Sequence, residues 1–206
     1  MKEQDFNLKV LDKIDENVSL LKKMRENAEA VKDYVYTGGD SPAVYVGTYR
    51  KYNDGSLFGK WIDITKCYDY EEFMDVCRKL HADEENLELM FQDFENFPEA
   101  WYTESCMDED TFDLIAKYGK LDEEDQRIID AYIDIHGECR RISDCMKSYM
   151  GQFDSEEDFA EYVVNECCNL EEKMGSLYYY FDYKAYARDL FRFDYDFSNG
   201  YVFRSY

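Results

Sequence analysis

Negative charge dominates this chain: 47 Asp and Glu stand against 24 Lys and Arg, a formal net charge of −23 over 206 residues. A disordered acidic tail lacks the apolar side chains needed to offset the entropy of ordering. Here 17% of residues are aromatic, with 20 Tyr and 14 Phe, so we expect the charge to be carried on a folded body. A folded polyanion repels nucleic acid. A DNA-binding protein is therefore a better candidate partner than DNA, and we expect no direct contact with nucleic acid.

The first 41 residues differ in charge from the rest of the chain. Apolar residues recur three and four apart over 6–36, which predicts an amphipathic helix with a coiled-coil-like stripe. Arg25 occupies one position of that stripe, which argues against a long coiled coil. Residues 1–41 hold seven bases and nine acids, so −21 of the net charge falls on 42–206. A turn-rich stretch at 37–42 follows the helix. We therefore assign the segment as an N-terminal helical extension and linker, which packs on its own domain or on a second copy of the chain.

Residues 42–103 carry the pattern of a small α+β domain, assigned as domain 1. β-branched and aromatic residues that suit strands are separated by turn residues and by one helical period. The predicted elements are a strand at 43–49, a hairpin turn at 53–55, a strand at 57–64, a helix at 69–80 and a strand at 87–95.

Residues 104–150 change to a helical period and are assigned as domain 2. Asp108 and Asp122 are candidate N-caps for two helices. After Asp122 the apolar residues recur in a four-three alternation, with Gly137 as a candidate break. Eleven acids and three bases lie in residues 108–138. Surface helices usually mix the two signs, so this bias marks domain 2 as the candidate functional region.

Residues 151–206 return to mixed chemistry and are assigned as domain 3. The predicted elements are a helix at 155–174, a strand at 178–181, a helix at 182–190 and a hairpin at 193–206 that turns about Ser198-Asn199-Gly200. The predicted fold class is α+β. Three small domains in series, namely α+β, helical bundle and α+β, follow the N-terminal helix and form an elongated body.

Motifs for catalysis, metal binding and cofactor binding are missing from the sequence. The two histidines, His81 and His136, each lie near a predicted helix end or break, so a surface or capping role is favoured over catalysis. No phosphate-binding glycine motif and no nucleophile elbow occurs. We therefore expect no enzyme activity, no cofactor and no metal. An unrecognised carboxylate site is the remaining enzymatic alternative.

The sequence also bears on location. There is no apolar run of 18 residues and no secretory signal, so we expect no membrane contact. The seven cysteines include no C-x-x-C pair and are expected to be reduced. These features are typical of a cytoplasmic protein.

Exposed helix acids can imitate the phosphates of DNA. An α-helix rises 1.5 Å per residue, so acids at every fourth position, as at Asp130, Asp134 and Glu138, stand about 6 Å apart. Duplex DNA carries one charge per ~1.7 Å of axis, so a dimer with −21 on each acidic body matches roughly 70 Å of duplex. The competing explanation is that the acids only confer solubility. The candidate partner-binding acids are Asp108, Glu109, Asp110, Asp113, Glu123, Glu124, Asp130, Asp134 and Glu138.

Three sequence blocks follow one another in a recognisable order. They are Pro42–Tyr49 with Tyr52–Ser56, Gly59 and Trp61, then Phe91–Glu95 with Pro98, and last Tyr180–Leu190. Together these blocks resemble the ArdA antirestriction family over about residues 42–206. Several blocks in the right order are far more specific than any one of them alone, and the first 41 residues lie outside the resemblance.

The resemblance implies a protein of mobile genetic elements that mimics bent B-form DNA. Such a protein would occupy the DNA-binding channel of Type I restriction–modification enzymes, on their methyltransferase/specificity core, and keep them from unmodified incoming DNA. The implied fold is an elongated homodimer of three-domain chains, α+β, helical bundle and α+β, with a dimer contact in the last domain. Catalysis is not expected of the family.

The last block corresponds to the antirestriction motif of the family. In this chain its residues are Tyr180, Phe181, Asp182, Tyr183, Tyr186, Ala187, Arg188, Asp189 and Leu190. We expect the aromatic residues and Leu190 to lie in the core or at the dimer contact rather than against the restriction enzyme. For Asp182 and Asp189 three roles stay open: phosphate mimicry, helix capping and pairing with Arg188.

An acidic adaptor or chaperone for basic DNA-binding proteins is the alternative function. Such a protein would bind many basic proteins without preference for restriction enzymes. A DNA mimic, in contrast, would compete with DNA for one class of enzyme in a salt-sensitive manner.

Overall fold

The computed structural model describes residues 2–167 and 169–205. These residues form α-helices and two three-stranded antiparallel sheets, which confirms the predicted α+β class. They fall into two compact units, Met1–Lys120 and Leu121–Tyr206, and each is described by itself. The division into three domains in series stays a prediction.

The sheet of the first unit has the strand order β2-β1-β3. β1 (Ala43–Thr48) pairs antiparallel with β2 (Lys60–Asp63) and with β3 (Leu89–Glu95), so all three predicted strands are present. The connection from β1 to β2 is longer than the predicted turn at 53–55. A short helix, α2 (Tyr49–Asn53), begins at once because the side chain of Thr48 caps it.

Two helices complete this unit, α3 (Tyr70–Leu80) and α4 (Glu109–Tyr118). The ring of Phe73 in α3 lies 6.0 Å from the ring of Phe91 in β3 and 5.3 Å from that of Phe112 in α4. These three side chains are at most 2% exposed. The apolar face of α4 is therefore part of the core of the first unit.

The N-terminal helix, α1 (Lys2–Ala30), is attached to the first unit by its last turns. Met24 is buried, and so is Val31 just after the helix. Asn27 Nδ2 donates a hydrogen bond to Oδ1 of Asp83 at 2.9 Å. The predicted N-terminal helix is confirmed, and this end of it packs on its own unit.

The second unit combines helices with the other sheet, whose strand order is β4-β6-β5. Its elements are α5 (Glu123–His136), α6 (Ile142–Ser148), β4 (Tyr149–Gln152), α7 (Glu156–Tyr162), α8 (Leu170–Met174), α9 (Tyr183–Phe193), β5 (Tyr195–Ser198) and β6 (Tyr201–Arg204). Its core joins α7 to α9 and β6 through Phe159, Ala187, Leu190 and Val202. The predicted hairpin is confirmed: Asn199 and Gly200 have φ of 50° and 91°, which suits a tight two-residue turn.

Two predictions in this unit are wrong. The helix predicted at 155–174 is interrupted by a π-helical segment at Val163–Cys167 and by Asn169, whose φ of 48° is left-handed. The strand predicted at 178–181 is instead a 3₁₀-helix at Gly175–Tyr180. The tyrosine run suggested a strand, but Tyr180 is 85% exposed, and a strand needs neighbours to pack against.

The sequence also left β4 unassigned. Its four residues sit at the boundary predicted between domains 2 and 3, and Gly151 in the middle has a φ of 124°. Such a short strand with a glycine carries little β-propensity of its own. Its pairing with β6 therefore stabilises the strand, because the local sequence alone does not.

Candidate functional site

The first group of predicted acids lies at the start of α4, in the first unit. Asp108 is the N-cap, and its Oδ1 accepts a hydrogen bond from the backbone N–H of Thr111 at 2.8 Å. This bond, with a second from the Thr111 side chain, lowers the pKa of the Asp108 carboxyl. Glu109 and Asp110 follow in the first turn and are exposed. Asp108 therefore stabilises the helix end, while the two acids after it are presented to solvent.

Asp113 lies one turn further along α4 and is also exposed. Its Oδ2 is 3.1 Å from Nζ of Lys117, an ion pair between residues four apart. An exposed pair of this kind contributes only about 0.3–0.5 kcal/mol to stability. Lys117 therefore offsets the charge of Asp113 without holding it rigidly.

The second group of predicted acids lies at the start of α5, in the second unit. Asp122 caps this helix by accepting the backbone N–H of Asp125 at 2.9 Å. Glu123 and Glu124 are exposed in the first turn. Both carboxylates face Arg127, at 3.0 Å and 3.8 Å. One cation therefore sits among the acids at this end of the helix.

Asp130 and Asp134 continue the acidic side of α5 and are both exposed. At 3.6 residues per turn they share one face with Glu123, and their spacing of four residues corresponds to about 6 Å along the axis. Asp134 Oδ2 lies 3.4 Å from Nδ2 of Asn199. This face has the linear charge spacing that the sequence predicted for Asp130 and Asp134.

Glu138 does not belong to that face, which corrects the predicted three-residue series. The helix ends at His136 because Gly137 adopts a left-handed φ of 76° as its C-cap. Glu138 lies beyond this cap, is exposed, and is 3.0 Å from Nε of Arg140. The sequence marked Gly137 as a candidate break, and that break is confirmed.

A third group of acids lies at the start of α7 and was not among the predicted partner-binding acids. Ser155 caps α7 by accepting the backbone N–H of Asp158 at 3.1 Å, and Glu156 and Glu157 share this first turn. Asp154 precedes the cap, and all four acids are exposed. Counting acids in each predicted first turn, not only in domain 2, would have found this group.

The antirestriction motif is divided between core and surface. Ala187 and Leu190 on α9 are buried in the core of the second unit. Asp182 caps α9, since its Oδ1 accepts the backbone N–H of Ala185 at 2.9 Å. Capping is therefore the role of Asp182 that the structure supports. The remaining polar residues of the motif, both exposed on α9, are Arg188 and Asp189.

The aromatic residues of the motif also differ in burial. Phe181 is half-buried, with its ring 5.0 Å from Tyr183 and 5.6 Å from Tyr186. Tyr180 is 85% exposed and so lies outside the core. Other large apolar side chains of the same region that are at least 60% exposed are Leu177, Tyr179 and Phe193.

His81 is fully buried, which corrects the prediction of a surface role, whereas the predicted capping position is confirmed because His81 is the C-cap residue of α3. Its Nε2 lies 3.2 Å from the backbone oxygen of Val46 and its Nδ1 lies 3.1 Å from Nζ of Lys51. Burial, together with the Lys51 charge, lowers the pKa of His81 to about 4. The sequence pattern gave the position at the helix end but not its burial. His136 agrees better with the prediction, since it ends α5.

Two kinds of feature are absent among the described residues. Between positions 2 and 205, Cys168 excepted, no three His, Cys, Asp or Glu residues are grouped in a way that suits a metal ion. Across the same part of the chain, no helix has the length and apolar character that a membrane span requires.

Comparison with known proteins bears on the region that carries these acids. Among curated proteins, none matches this chain. A family model does match it, over residues 44–203, and that family is described as antirestriction protein (ArdA). The match covers most of the chain, including α4, α5, α7 and α9, and leaves out α1.

Proposed function

Because this chain belongs to the ArdA family of antirestriction proteins, we propose that it protects incoming DNA by mimicking DNA. In this proposal it occupies the DNA-binding channel of a Type I restriction–modification enzyme in the cytoplasm and acts by binding rather than by catalysis. The observation that carries the proposal is the set of exposed carboxylates at the starts of α4, α5 and α7.

The chemistry of these helix starts supports a phosphate-mimicking role. Acids in a first turn are stabilised by the helix dipole, so they can be crowded there at little cost in folding. A channel that binds DNA neutralises phosphates with Lys and Arg and releases counterions. The exposed Glu109 and Asp110 of α4 form no ion pair with a described residue, and so offer their charge to such a channel.

The exposed aromatic side chains of the second unit support a further part of the proposal. We propose that Tyr179, Tyr180 and Phe193, which are 71–85% exposed, contact a second copy in a homodimer. Large aromatic side chains commonly anchor protein interfaces. A Tyr179→Ala/Tyr180→Ala variant that keeps the wild-type sedimentation coefficient at all concentrations would contradict this contact.

The elongated arrangement of three domains is also part of the proposal. Small-angle X-ray scattering of the whole protein measures it directly. A long particle is expected, because carboxylates must form a continuous band to stand in for a duplex. Scattering from a sphere-like particle would contradict DNA mimicry.

The central experiment measures binding to a Type I enzyme and restriction of unmodified DNA. We expect binding to weaken steeply between about 50 and 200 mM salt and to be lost in competition with duplex DNA. Binding that is insensitive to salt, or that leaves DNA bound, would overturn the proposal. Equal binding to unrelated basic proteins would favour an acidic adaptor instead.

A pair of charge-matched variants sharpens this experiment. The site variant Glu109→Gln/Asp110→Asn/Asp134→Asn removes three exposed acids from α4 and α5. Its control, Glu16→Gln/Glu26→Gln/Asp33→Asn, removes three exposed acids outside the region that matches the family. Each exposed pair contributes about 0–1 kcal/mol, so we expect the site variant to inhibit about tenfold less well and the control to match wild type.

A further inference from the structure

A stripe of apolar side chains lies exposed on α1, outside the region that matches the family. Every residue from 13 to 23 is exposed. Ile14, Val18 and Leu21 are 50%, 60% and 64% exposed. Their spacings of four and three residues place them on one face of the helix. We call these three residues the α1 stripe.

The α1 stripe is distinct from the face by which the helix is attached to its own unit. That attachment uses Met24, Asn27 and Val31. At 3.6 residues per turn, Met24 and Asn27 lie about a quarter and two-fifths of a turn from Ile14 around the axis, and Val31 follows the end of the helix. The attached unit therefore leaves the stripe exposed.

Charge alongside the stripe is distributed unevenly along the helix. Asp15 lies beside the N-terminal part of the stripe and Lys22 beside its C-terminal part, on the same flank. Antiparallel pairing of two such helices places equivalent flanks against each other, so an acid of one copy meets a base of the other. In a parallel pair, this flank would instead meet the opposite flank, which carries Asn17 and Met24.

We propose that α1 pairs antiparallel with α1 of a second copy of this chain, with Val18 level with Leu21 of that copy. In this register Asp15 lies beside Lys22 of the second copy, and two-fold symmetry repeats the ion pair. Arg25, which follows the stripe on the same face, is level with Ile14 of the second copy at the end of the apolar contact. There its guanidinium reaches the neighbouring Asp15.

The charge on the rest of the chain selects the same orientation. α1 holds six bases and seven acids, whereas residues 42–206 carry −21. In the proposed register, the two Ala30 residues lie about 32 Å apart along the axis. That separation is about four Debye lengths at physiological salt, so repulsion between the acidic bodies is screened. Parallel pairing would place both bodies at the same end of the helix pair.

The association is tested with the full chain by sedimentation equilibrium over a range of concentrations. Every chain in this test carries Tyr179→Ala/Tyr180→Ala, so that the contact proposed above for the second unit does not contribute, and we expect Val18→Glu/Leu21→Glu to halve the mass reached by the chain with wild-type α1. The matched control is Lys23→Glu, which also changes the charge by −2 but lies half a turn from Ile14. Equal masses for wild type and the stripe variant would overturn the proposal, as would an equal loss in the control.

The orientation is tested with two charge variants. Asp15→Lys places Lys opposite Lys22, and Lys22→Asp places Asp opposite Asp15, so we expect each variant alone to stay dissociated. An equimolar mixture restores both ion pairs and should recover the wild-type mass. A mixture that stays dissociated would exclude the antiparallel register. Helical circular dichroism of each variant excludes loss of the helix, since Lys22 also pairs with Glu26 at 3.9 Å. Neither assay contains a restriction enzyme, so failure of the α1 contact and failure of the proposed enzyme binding are distinguishable.

Discussion

α1 and α4 are both amphipathic helices of the first unit, yet they use their apolar faces in opposite ways. In α4, Phe112 and Ile115 are at most 1% exposed, and acids face the solvent. In α1, Ile14 and Leu21 are at least 50% exposed, within a stretch at 13–23 in which every residue is exposed. The apolar side chains of α4 are therefore buried in the core while its acids are exposed, whereas apolar side chains of α1 are exposed to solvent.

This difference separates two kinds of recognition in one chain. Exposed carboxylates act at long range, depend on salt and contribute little individually. Exposed apolar side chains act only on contact and depend little on salt. We therefore expect acidic α4 to meet an enzyme built for DNA, and near-neutral α1 to meet a surface like itself.

The largest effect that separates the two helices is on stability. Phe112→Ala removes a buried ring that contacts Phe73, and we expect a loss of about 3–5 kcal/mol in the free energy of unfolding. Leu21→Ala should change the unfolding of the dissociated chain by less than about 0.5 kcal/mol, because this side chain is 64% exposed. Urea denaturation at low protein concentration measures both. Similar losses would show that the stripe is covered within its own chain.

The second effect concerns the site where α1 is attached. Asn27 bonds to Asp83, which lies 2.8 Å from Lys51, and Lys51 also contacts buried His81. The pKa of His81 is lowered from 6.5 to about 4. Between these values the unfolded chain binds a proton that the folded chain does not, so stability falls as pH drops through this window. The expected loss is about 3 kcal/mol.

This pH dependence is measured by urea denaturation at several values between pH 7.5 and pH 4.5, for wild type and for His81→Gln. The variant lacks the titrating group, so its stability should fall less over the same window even if it is less stable throughout. Parallel curves for the two proteins would show that His81 does not titrate as its burial requires.

The third effect distinguishes acids that build α5 from acids that face outward on it. Asp122→Ala removes the N-cap bond to the backbone N–H of Asp125 and should destabilise the protein by about 1 kcal/mol. Asp134→Ala changes an exposed side chain and should stay within about 0.5 kcal/mol. Thermal unfolding of both variants decides between these roles. If Asp134→Ala were the more destabilising, its place among the binding acids would be wrong.

The comparison of helices also explains how far the sequence alone could predict the structure. Asp108, Asp122 and Gly137 define helix ends by local chemistry, so they were predicted correctly. The tyrosine run at 178–181 was not, because strand formation depends on neighbours that only the folded chain supplies. Burial of His81 was missed for the same reason, since Lys51 and Val46 come from distant positions.

The candidate acids also divide into those that local spacing placed correctly and those that it did not. Asp130 and Asp134 were placed correctly on one helix face by their spacing alone. Glu138 was placed wrongly because the series was continued across Gly137. The acids before and within α7 were not predicted because they lie outside 108–138, the stretch whose excess of acids marked domain 2. Spacing therefore predicts a face only as far as the helix that carries it extends.

The substitution with the smallest expected effect on stability, Arg127→Ala, should have a larger effect on enzyme binding. Arg127 is the cation that lies 3.0 Å from Glu123 and 3.8 Å from Glu124, and all three side chains are at least 54% exposed. Arg127→Ala should change the free energy of unfolding by no more than about 0.5 kcal/mol, because exposed pairs contribute little. It leaves both carboxylates without this counter-charge, so a DNA-binding channel should gain affinity at low salt, and the salt dependence should steepen. On α1, which lies outside the region that matches the family, Lys23→Ala makes the same charge change and should leave enzyme binding unchanged. Titration of a Type I enzyme with both variants at two salt concentrations measures the difference, and weaker binding by Arg127→Ala would mean that the cation itself contacts the partner.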